Sequence, residues 1–410
     1  MNTSAAPESR FHSLDALRAA ALLAGIVLHA TMSYLPGFAA MKWPIADAST
    51  STTLGLVFFV LHIFRMALFF MIAGFFARLL RQRLGTAGLI RNRLRRIGLP
   101  LVASMILVLP FTFGAVIWAA VQIGAKGGPP ASAAAPVIGP MIPWAHLWFL
   151  YLLLVLFAAW LPLRGLIARL DGSGAGRAVL TSLVARLIAS RAAPLLLALP
   201  VAWALISAPW WMIWMGVPVP AVGLVPNLPA LLTFGFAFVL GWLIHREQSV
   251  LRSLASDWLL NLAGAVLATL AALYLAGDRV HFGPEPLPAP ARLAFASVYS
   301  IALWCWCFAA IGAAVRFFDQ PSSRWRYLSD ASYWMYLVHL PIVWLLQAWS
   351  LRWPLPWAVK FSFVLAVTTL LLLASYHWLV RTTFVGVFLN GRRYPRSVDA
   401  VAATNQRLAT

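Results

Sequence analysis

Apolar segments long enough to cross a lipid bilayer recur along the whole of this 410-residue chain. About twenty consecutive apolar residues are needed to span the hydrocarbon core of a membrane as a helix. We therefore predict an all-α, polytopic integral membrane protein with about ten transmembrane helices. The predicted spans are residues 14–35, 53–78, 97–121, 144–163, 192–208, 226–244, 257–276, 292–315, 330–350 and 357–380.

The composition supports this class and gives no sign of an appended soluble domain. Hydrophobic residues make up 62% of the chain and charged residues only 10%, which is more apolar than a soluble domain of this length requires. We predict a single transmembrane domain over residues 1–392 and a polar cytoplasmic tail over residues 393–410. The first span contains Asp15 and Arg18 and lacks a small-residue cleavage site after it, so we do not expect a cleaved signal peptide.

The net charge of +20 predicts an orientation in the membrane rather than a nucleic-acid partner. With the N-terminus placed in the cytoplasm, 24 of the 31 Lys and Arg residues fall in inner segments or at the inner ends of spans, and five fall in outer segments. An excess of positive charge on the inside is typical of inner-membrane proteins. We expect a multi-pass protein of the bacterial inner membrane with both termini in the cytoplasm.

Ionisable residues in the first span form a polar stripe along one helix face. Arg18 and His29 lie within roughly 20° of each other around a helix and about 16 Å apart along its axis. Asp15, Gly25 and Ser33 fall on the same broad face, and Asp15 is the expected partner or orienting group of Arg18. Because ionisable residues are costly in a bilayer, the stripe indicates a pathway or a reaction centre. A stripe that packs against other helices for structural reasons has the same pattern.

Arg65 lies near the middle of the second predicted span. An arginine at that depth cannot easily reach water, so it should face a polar cavity or an anionic partner. His62 precedes it by about one turn and lies on roughly the same face. The alternative is an internal ion pair that locks two helices together.

The inner loop after the second span is rich in arginine, with seven arginines from Arg78 to Arg96. The planar fork of arginine binds phosphate oxygens in pairs, so this segment is a candidate docking site for a phosphate-rich cytoplasmic cofactor. Such segments also arise from the positive-inside rule alone or contact anionic lipids. The candidate cofactor-binding residues are Arg91, Arg93, Arg95 and Arg96.

Besides His377, near the inner end of the tenth span, which we expect to be structural, two more histidines lie within predicted spans. His146 is near the outer end of the fourth span, two residues before Trp148, and His339 is in the middle of the ninth. A lone histidine on an apolar helix is as often a satisfied packing residue as a functional one, and both interpretations stay open. The candidate substrate-binding residues are His62, His146, Trp148 and His339.

Two other features are expected to be structural. The uncharged segment 208–226 carries Trp210, Trp211 and Trp214, which suits a position at the outer membrane interface. Cys305 and Cys307 face different sides of one helix, so they predict neither a disulfide nor a metal site, and we expect no metal.

Five motifs occur in an order that resembles the membrane-bound acyltransferase family 3. They are Arg18-x10-His29, HIFRMALFFMIAGFF in the second span, Arg93-x-x-Arg96-x-Gly-x-Pro, His146-Leu-Trp-Phe-Leu and Tyr-Trp-Met-Tyr-Leu-Val-His339-x-Pro. The resemblance is best to the branch of periplasmic-glucan succinyltransferases. It covers predicted spans 1–4 and 9–10 by motif and spans 5–8 by hydropathy alone.

This resemblance implies a membrane-bound O-acyltransferase. Enzymes of this type take a succinyl or acetyl group from cytoplasmic acyl-coenzyme A, the expected co-substrate, and pass it to a carbohydrate hydroxyl at the periplasmic side, here a glucan. By the same resemblance, Arg18 and His29 match the family's essential pair in the first span. Arg93 and Arg96 match its Arg-x-x-Arg motif.

The residues and the resemblance together support one mechanistic hypothesis and leave two rivals. His29 is the candidate general base, because histidine exchanges protons near neutral pH, whereas Arg18 and Arg65 are better suited to electrostatic roles. The first rival is a transporter or flippase of an anionic lipid-linked sugar, in which the same residues line a permeation path. The second is a structural membrane partner of a glycan synthase. The oligomeric state is open.

Overall fold

The computed structural model describes residues 11–41, 43–122, 124, 140–277, 280, 282, 287–391 and 394. Apart from one isolated bridge between Pro143 and Val222, the regular elements among these residues are helices. Of the predicted polar tail, 393–410, only Tyr394 lies within the described residues. The α-helices are α1 His12–Thr31, α2 Thr52–Arg93, α3 Leu99–Leu107, α4 Leu109–Gln122, α5 Trp148–Leu170, α6 Ala175–Ala189, α7 Ala193–Ile206, α8 Leu228–Arg246, α9 Ser249–Ser256, α10 Trp258–Ala276, α11 Ala289–Phe317, α12 Ser323–Ser350, α13 Trp357–Ser375 and α14 Phe384–Asn390.

The all-α, polytopic class is confirmed, and each of the ten predicted spans coincides with helix. In the described part of the chain, seven helical stretches are long and apolar enough to cross a membrane, or eight if the bent pair α6 and α7 is one span. One of the seven, Thr52–Gln122, contains both the second and the third predicted spans. The ninth lies in α12, which is not among the seven because its tyrosines, tryptophans and histidine lower its mean hydropathy.

The basic segment after the second span is helical, whereas the sequence predicted a loop. Helix α2 runs for 42 residues and is interrupted only at Gly85, whose φ of 70° suits glycine. A π-helical turn, Leu94–Gly98, then leads into α3. Arginine and leucine, which make up much of this segment, favour helix, so the helical conformation is interrupted only at the glycine.

Close backbone contact fixes α2 against α8. A Cβ on Gly74 would overlap the carbonyl oxygen of Phe238, and a Cβ on Gly241 would overlap that of Met71. Small residues allow helices in membranes to approach each other in this way. The contact holds the segment of α2 that carries His62 and Arg65 in a fixed orientation.

Helix α1 packs against α2, α11, α12 and α13 and is therefore central. From α12, the side-chain amide of Gln347 donates to the carbonyl oxygens of His29, at 3.2 Å, and Ala30, at 2.9 Å. Because both contacts are to the backbone of α1, they fix the register between the two helices that carry His29 and His339.

A buried ion pair joins α13 to the connection between α1 and α2. Lys360 Nζ in α13 lies 2.7 Å from Asp47 Oδ2, and the two side chains are only 3% and 2% exposed. The other Asp47 oxygen accepts from the backbone N–H of Ser49 at 2.8 Å. The pair ties the connection between α1 and α2 to the last long helix.

Replacing Lys360 by methionine is expected to lower the free energy of unfolding by about 3–5 kcal/mol, because it leaves the Asp47 carboxylate buried without a counter-charge. The double variant Asp47→Asn/Lys360→Met should recover most of that loss, since no isolated charge is then buried. Thermal unfolding in detergent would measure both. A double variant as unstable as the single one would show that the pair does not act in this way.

Candidate active site

A cavity of about 680 Å³ passes between α1, α2, α5 and α12 and extends to the segment 208–226. Arg18, Arg93 and Arg96 line it near one end of α1, and His29 and Arg65 line it farther along the same helices. Nine of the twelve predicted site residues share this cavity: Arg18, His29, His62, Arg65, Arg93, Arg96, His146, Trp148 and His339. The other three, Asp15, Arg91 and Arg95, do not line it.

Three histidines from three helical segments meet in the middle of the cavity. The ring centroids of His29 and His339 are 5.1 Å apart, and those of His339 and His146 are 5.3 Å apart. His29 comes from α1, His339 from α12 and His146 from the turn before α5. The sequence singled out each residue separately, and the fold brings them together.

Backbone carbonyl groups select the tautomer of two of these rings. His146 Nε2 donates to the carbonyl oxygen of Leu337 at 3.0 Å, and His339 Nδ1 donates to that of Tyr336 at 2.8 Å. A neutral imidazole with one nitrogen donating keeps a lone pair on the other. His29 Nδ1 is buried without a hydrogen-bond partner in the described structure, so it is available to a bound molecule.

The guanidinium of Arg65 lies directly against the backbone of α1. A Cβ on Gly25 would overlap Arg65 Nη1 and lie 3.4 Å from Cζ. Gly25 is one turn before His29, so the charge of Arg65 lies beside the histidine cluster. Arg65 forms no ion pair with any described residue, and its Nε is buried without a partner. The helix-locking ion pair considered from the sequence is thus not found in this part of the chain.

Arg18 joins α1 to α12. Its Nη2 donates to Ser329 Oγ at 2.6 Å and lies 3.4 Å from Asp15 Oδ1. The predicted partnership between Asp15 and Arg18 is therefore present, and Ser329 is a third member that the sequence did not reveal. The Asp15 side chain does not itself line the wall, but it contacts two residues that do, Arg18 and Ser329, whose hydroxyl donates to Asp15 Oδ1 at 3.5 Å.

The four candidate cofactor-binding arginines divide into two pairs. Arg93 lines the cavity with its Cζ 5.4 Å from the ring centroid of Phe157, and Arg96 lines it while packing against the backbone of Gly391. Arg91 and Arg95 are exposed and point away from the cavity. The helical course of the segment explains this division, because residues three or four apart share a helix face, as Arg93 and Arg96 do on one side and Arg91 and Arg95 on another.

Tyrosines on α12 complete the wall, and the sequence did not single them out. The Tyr336 hydroxyl donates to the carbonyl oxygen of His146 at 2.8 Å, and the Tyr333 hydroxyl donates to that of Arg96 at 2.6 Å. Their spacing of three residues places both on one helix face with His339, which is the signal that could have identified them.

The tryptophan-rich segment 208–226 covers the far end of the cavity. Its Trp211 and Trp214 side chains are only 4% and 2% exposed, so they pack within the protein. Trp214 packs on Phe59 with a centroid separation of 5.0 Å. Gly216 has a φ of 71°, and a Cβ there would lie 2.9 Å from the Cβ of His62. The segment therefore folds inward over His62.

Cys305 and Cys307 are both buried in α11. In the described ranges, no group of three or more histidine, cysteine, aspartate or glutamate side chains is arranged to hold a metal ion. The side chains in the middle of the cavity offer imidazole lone pairs beside a guanidinium.

Comparison with known proteins identifies the family. The acyltransferase domain of family 3 matches residues 11–377. Glucans biosynthesis protein C of Salmonella gallinarum is 29% identical over 170 residues, which is 39% of this chain and 42% of that protein. The protein of the same name from Salmonella paratyphi B is 30% identical over 156 residues, 37% of this chain and 38% of that protein.

The chain thus aligns with about two fifths of the length of these curated relatives. No solved structure matches it. The family match, by contrast, extends from the start of α1 into the π-helical turn after α13 and includes all twelve predicted site residues. The chain belongs to the acyltransferase family 3.

Proposed function

We propose that this acyltransferase moves a succinyl or acetyl group from cytoplasmic acyl-coenzyme A to a hydroxyl of a periplasmic glucan, with His29 as the general base. The observation that carries the proposal is the cavity that connects a pair of arginines to the cluster of three histidines. Membership of the family supports acyl transfer as the reaction, and the names of the Salmonella relatives support a glucan as the acceptor. The charge distribution along the sequence supports an inner-membrane protein with cytoplasmic termini.

In this proposal, Arg93 and Arg96 bind the phosphates of coenzyme A. Both guanidinium groups line the cavity where it reaches Arg18, and planar guanidinium forks bind phosphate oxygens in pairs. The thioester arm then follows the polar face of α1 from Arg18 toward His29, about 16 Å along the helix axis. Arg91 and Arg95 face away and contribute at most to the surrounding positive potential.

At the histidine cluster, the acceptor hydroxyl gives its proton to His29 as its oxygen attacks the thioester carbonyl carbon. The negative charge that develops on the carbonyl oxygen is stabilised by Arg65, whose guanidinium lies one helical turn away against Gly25. The intermediate collapses when the carbon–sulfur bond breaks, and the imidazolium of His29 protonates the departing thiolate. The products are the O-acylated glucan and coenzyme A.

The segment 208–226 and Trp148 form the proposed acceptor side. Trp210, Met215 and the backbone from Gly216 onward line the cavity beyond His62. Aromatic faces with adjacent polar backbone suit a sugar ring, which has both apolar and hydroxyl-bearing surfaces. His62 lies where this side meets Arg65.

Release of coenzyme A by the purified, detergent-solubilised protein tests the proposed function. Acetyl- and succinyl-coenzyme A are offered separately, with and without a periplasmic glucan. We expect release from at least one donor that depends on the acceptor, together with an acylated glucan detected by mass spectrometry. Failure of both donors to bind or react would contradict the proposal and favour the transporter, which a flux assay in vesicles would then examine.

The arginine pair on the cavity wall should control donor affinity. Arg93→Gln/Arg96→Gln is expected to raise KM for acyl-coenzyme A about 100-fold, because each charge-assisted hydrogen bond contributes about 1.5–3 kcal/mol. The matched variant Arg91→Gln/Arg95→Gln removes the same charge from the exposed side and should raise KM far less. Steady-state kinetics at saturating acceptor would measure both. Equal increases would mean that general positive potential, and not the cavity wall, binds the donor.

The packing of Arg65 on Gly25 gives a separate test of the site. Gly25→Ala should lower kcat at least about ten-fold, because a methyl group displaces the guanidinium from a charge-stabilising position. The helix itself should not be weakened, since alanine favours helix over glycine by about 1 kcal/mol. Gly114→Ala in α4 is the control, because a Cβ there meets no atom within 4 Å. Unchanged kcat in Gly25→Ala would place the reacting carbonyl elsewhere.

A further inference from the structure

A second group of arginines lies outside the cavity, around the indole of Trp242 near the end of α8. The Cζ atoms of Arg78, Arg81 and Arg164 are 5.8, 5.7 and 5.9 Å from the Trp242 ring centroid. Arg78 also faces the charge of Arg246, at the end of α8. These four arginines come from α2, α5 and α8, so the fold assembles the cluster, which we call the Trp242 cluster.

The positive charges of the Trp242 cluster have no anionic partner in the described structure. None of its four arginines forms an ion pair with a described residue, and the Nε atoms of Arg78 and Arg81 are buried without hydrogen-bond partners. A cation–π contact supplies only about 0.5–2 kcal/mol. Like charges held this close repel, and a bound anion would relieve that repulsion.

The acidic residues at the adjacent helix ends are already engaged. The backbone and side chain of Arg177 donate to Asp171 and hold the pKa of that carboxyl below its usual range. Glu247 accepts a hydrogen bond from the hydroxyl of Ser249 at 2.5 Å. An anion that joins the cluster would therefore come from outside the described residues.

We propose that the Trp242 cluster is a binding site for the phosphate headgroup of an anionic membrane phospholipid. Apolar side chains beside it face outward: Leu163 and Leu166 on α5 are 50% and 52% exposed, and Leu84 on α2 is 50% exposed. In a bilayer such surfaces contact lipid tails. Basic pockets between membrane helices on the cytoplasmic side are a known way of binding phospholipids with two phosphates.

The geometry separates this site from the proposed donor site. Arg93 and Arg96 line the cavity that leads to His29, whereas Arg78, Arg81 and Arg164 do not. A soluble nucleotide has no acyl chains with which to contact the exposed leucines beside the cluster. The phosphate of a phospholipid would pair with the guanidinium groups, and its acyl chains would contact the apolar side chains beside them.

Native mass spectrometry of the full-length protein in neutral detergent tests the site, with cardiolipin as the probe and phosphatidylcholine as the uncharged comparison. The variant is Arg81→Gln/Arg164→Gln, and the control is Arg169→Gln/Arg252→Gln, which removes two exposed arginines with the same change in charge. Each arginine near an anionic headgroup contributes roughly a five-fold change in affinity, so we expect cardiolipin binding about 25-fold weaker in the variant. The control should bind like wild type.

Two results would overturn the proposal. One is equal cardiolipin binding by the variant and the control. The other is complete displacement of cardiolipin by adenosine 3′,5′-bisphosphate, which would assign the cluster to a soluble nucleotide. If the double variant does not fold, wild-type protein still decides the matter, because binding no stronger for cardiolipin than for phosphatidylcholine at low salt would exclude the site.

Discussion

Replacing His29 by glutamine is expected to slow acyl transfer by about 10²–10⁴-fold and to leave the helical fold unchanged. Glutamine keeps a polar side chain of similar reach but cannot take up the hydroxyl proton. The surrounding structure should tolerate it, because the contacts of Gln347 to α1 are to backbone carbonyl groups and do not involve the imidazole. The measurement is kcat for coenzyme A release, with thermal unfolding recorded on the same sample.

His377→Gln is the matched control for this variant. His377 lies in the π-helical turn after α13, outside the cavity, and its Nδ1 is 3.4 Å from the hydroxyl of Tyr327. It should retain wild-type kcat. Normal turnover in His29→Gln would instead move the role of the base to a neighbouring ring, of which His339, at 5.1 Å, is the first to examine.

The second large effect is expected at Arg65. Arg65→Met should lower kcat by about 10²–10³-fold, as is typical when a group that stabilises a developing oxyanion is removed. Arg65→Lys should be intermediate, because lysine keeps the charge but not the planar fork that lies against Gly25. KM for the donor should change much less than kcat if the guanidinium acts mainly in the transition state.

Comparing two donors distinguishes the roles open to Arg65. Oxyanion stabilisation lowers kcat equally for acetyl- and succinyl-coenzyme A, whereas binding of the succinyl carboxylate penalises only the succinyl donor. Arg316→Met, at the end of α11 and outside the cavity, controls for the loss of one arginine. Wild-type kcat for both donors in Arg65→Met would contradict either role.

Most of the helices could be predicted from the sequence because the bilayer sets a fixed length for each apolar segment. The same reasoning identified His29, Arg65 and His339, since each is an ionisable residue in an otherwise apolar stretch. Their meeting in one cavity was not predictable in this way, because hydropathy gives the position of a residue along its helix but not the neighbour it faces. The arrangement depends on contacts such as those of Gln347 with α1.

Two regions show where local patterns are insufficient. The arginine-rich segment has the composition of a surface loop, yet it continues α2 as helix. The helical geometry is what directs Arg93 to the cavity and Arg95 to the exposed side. The tryptophans of 208–226 have the pattern of an interface anchor, but Trp211 and Trp214 are buried because the chain folds over the cavity. In both cases packing against helices distant in sequence determines the conformation or the burial of the segment, and local propensity does not predict such packing.

The pairing of Asp47 with Lys360 also constrains how the protein is made. The partners are 313 positions apart in the chain, so the aspartate is synthesised and delivered to the membrane long before the lysine exists. Until α13 is made, the Asp47 carboxylate lacks this counter-charge, so burying it in ionised form is costly. The connection between α1 and α2 therefore gains its ionic contact with the bundle only when the last long helix is present.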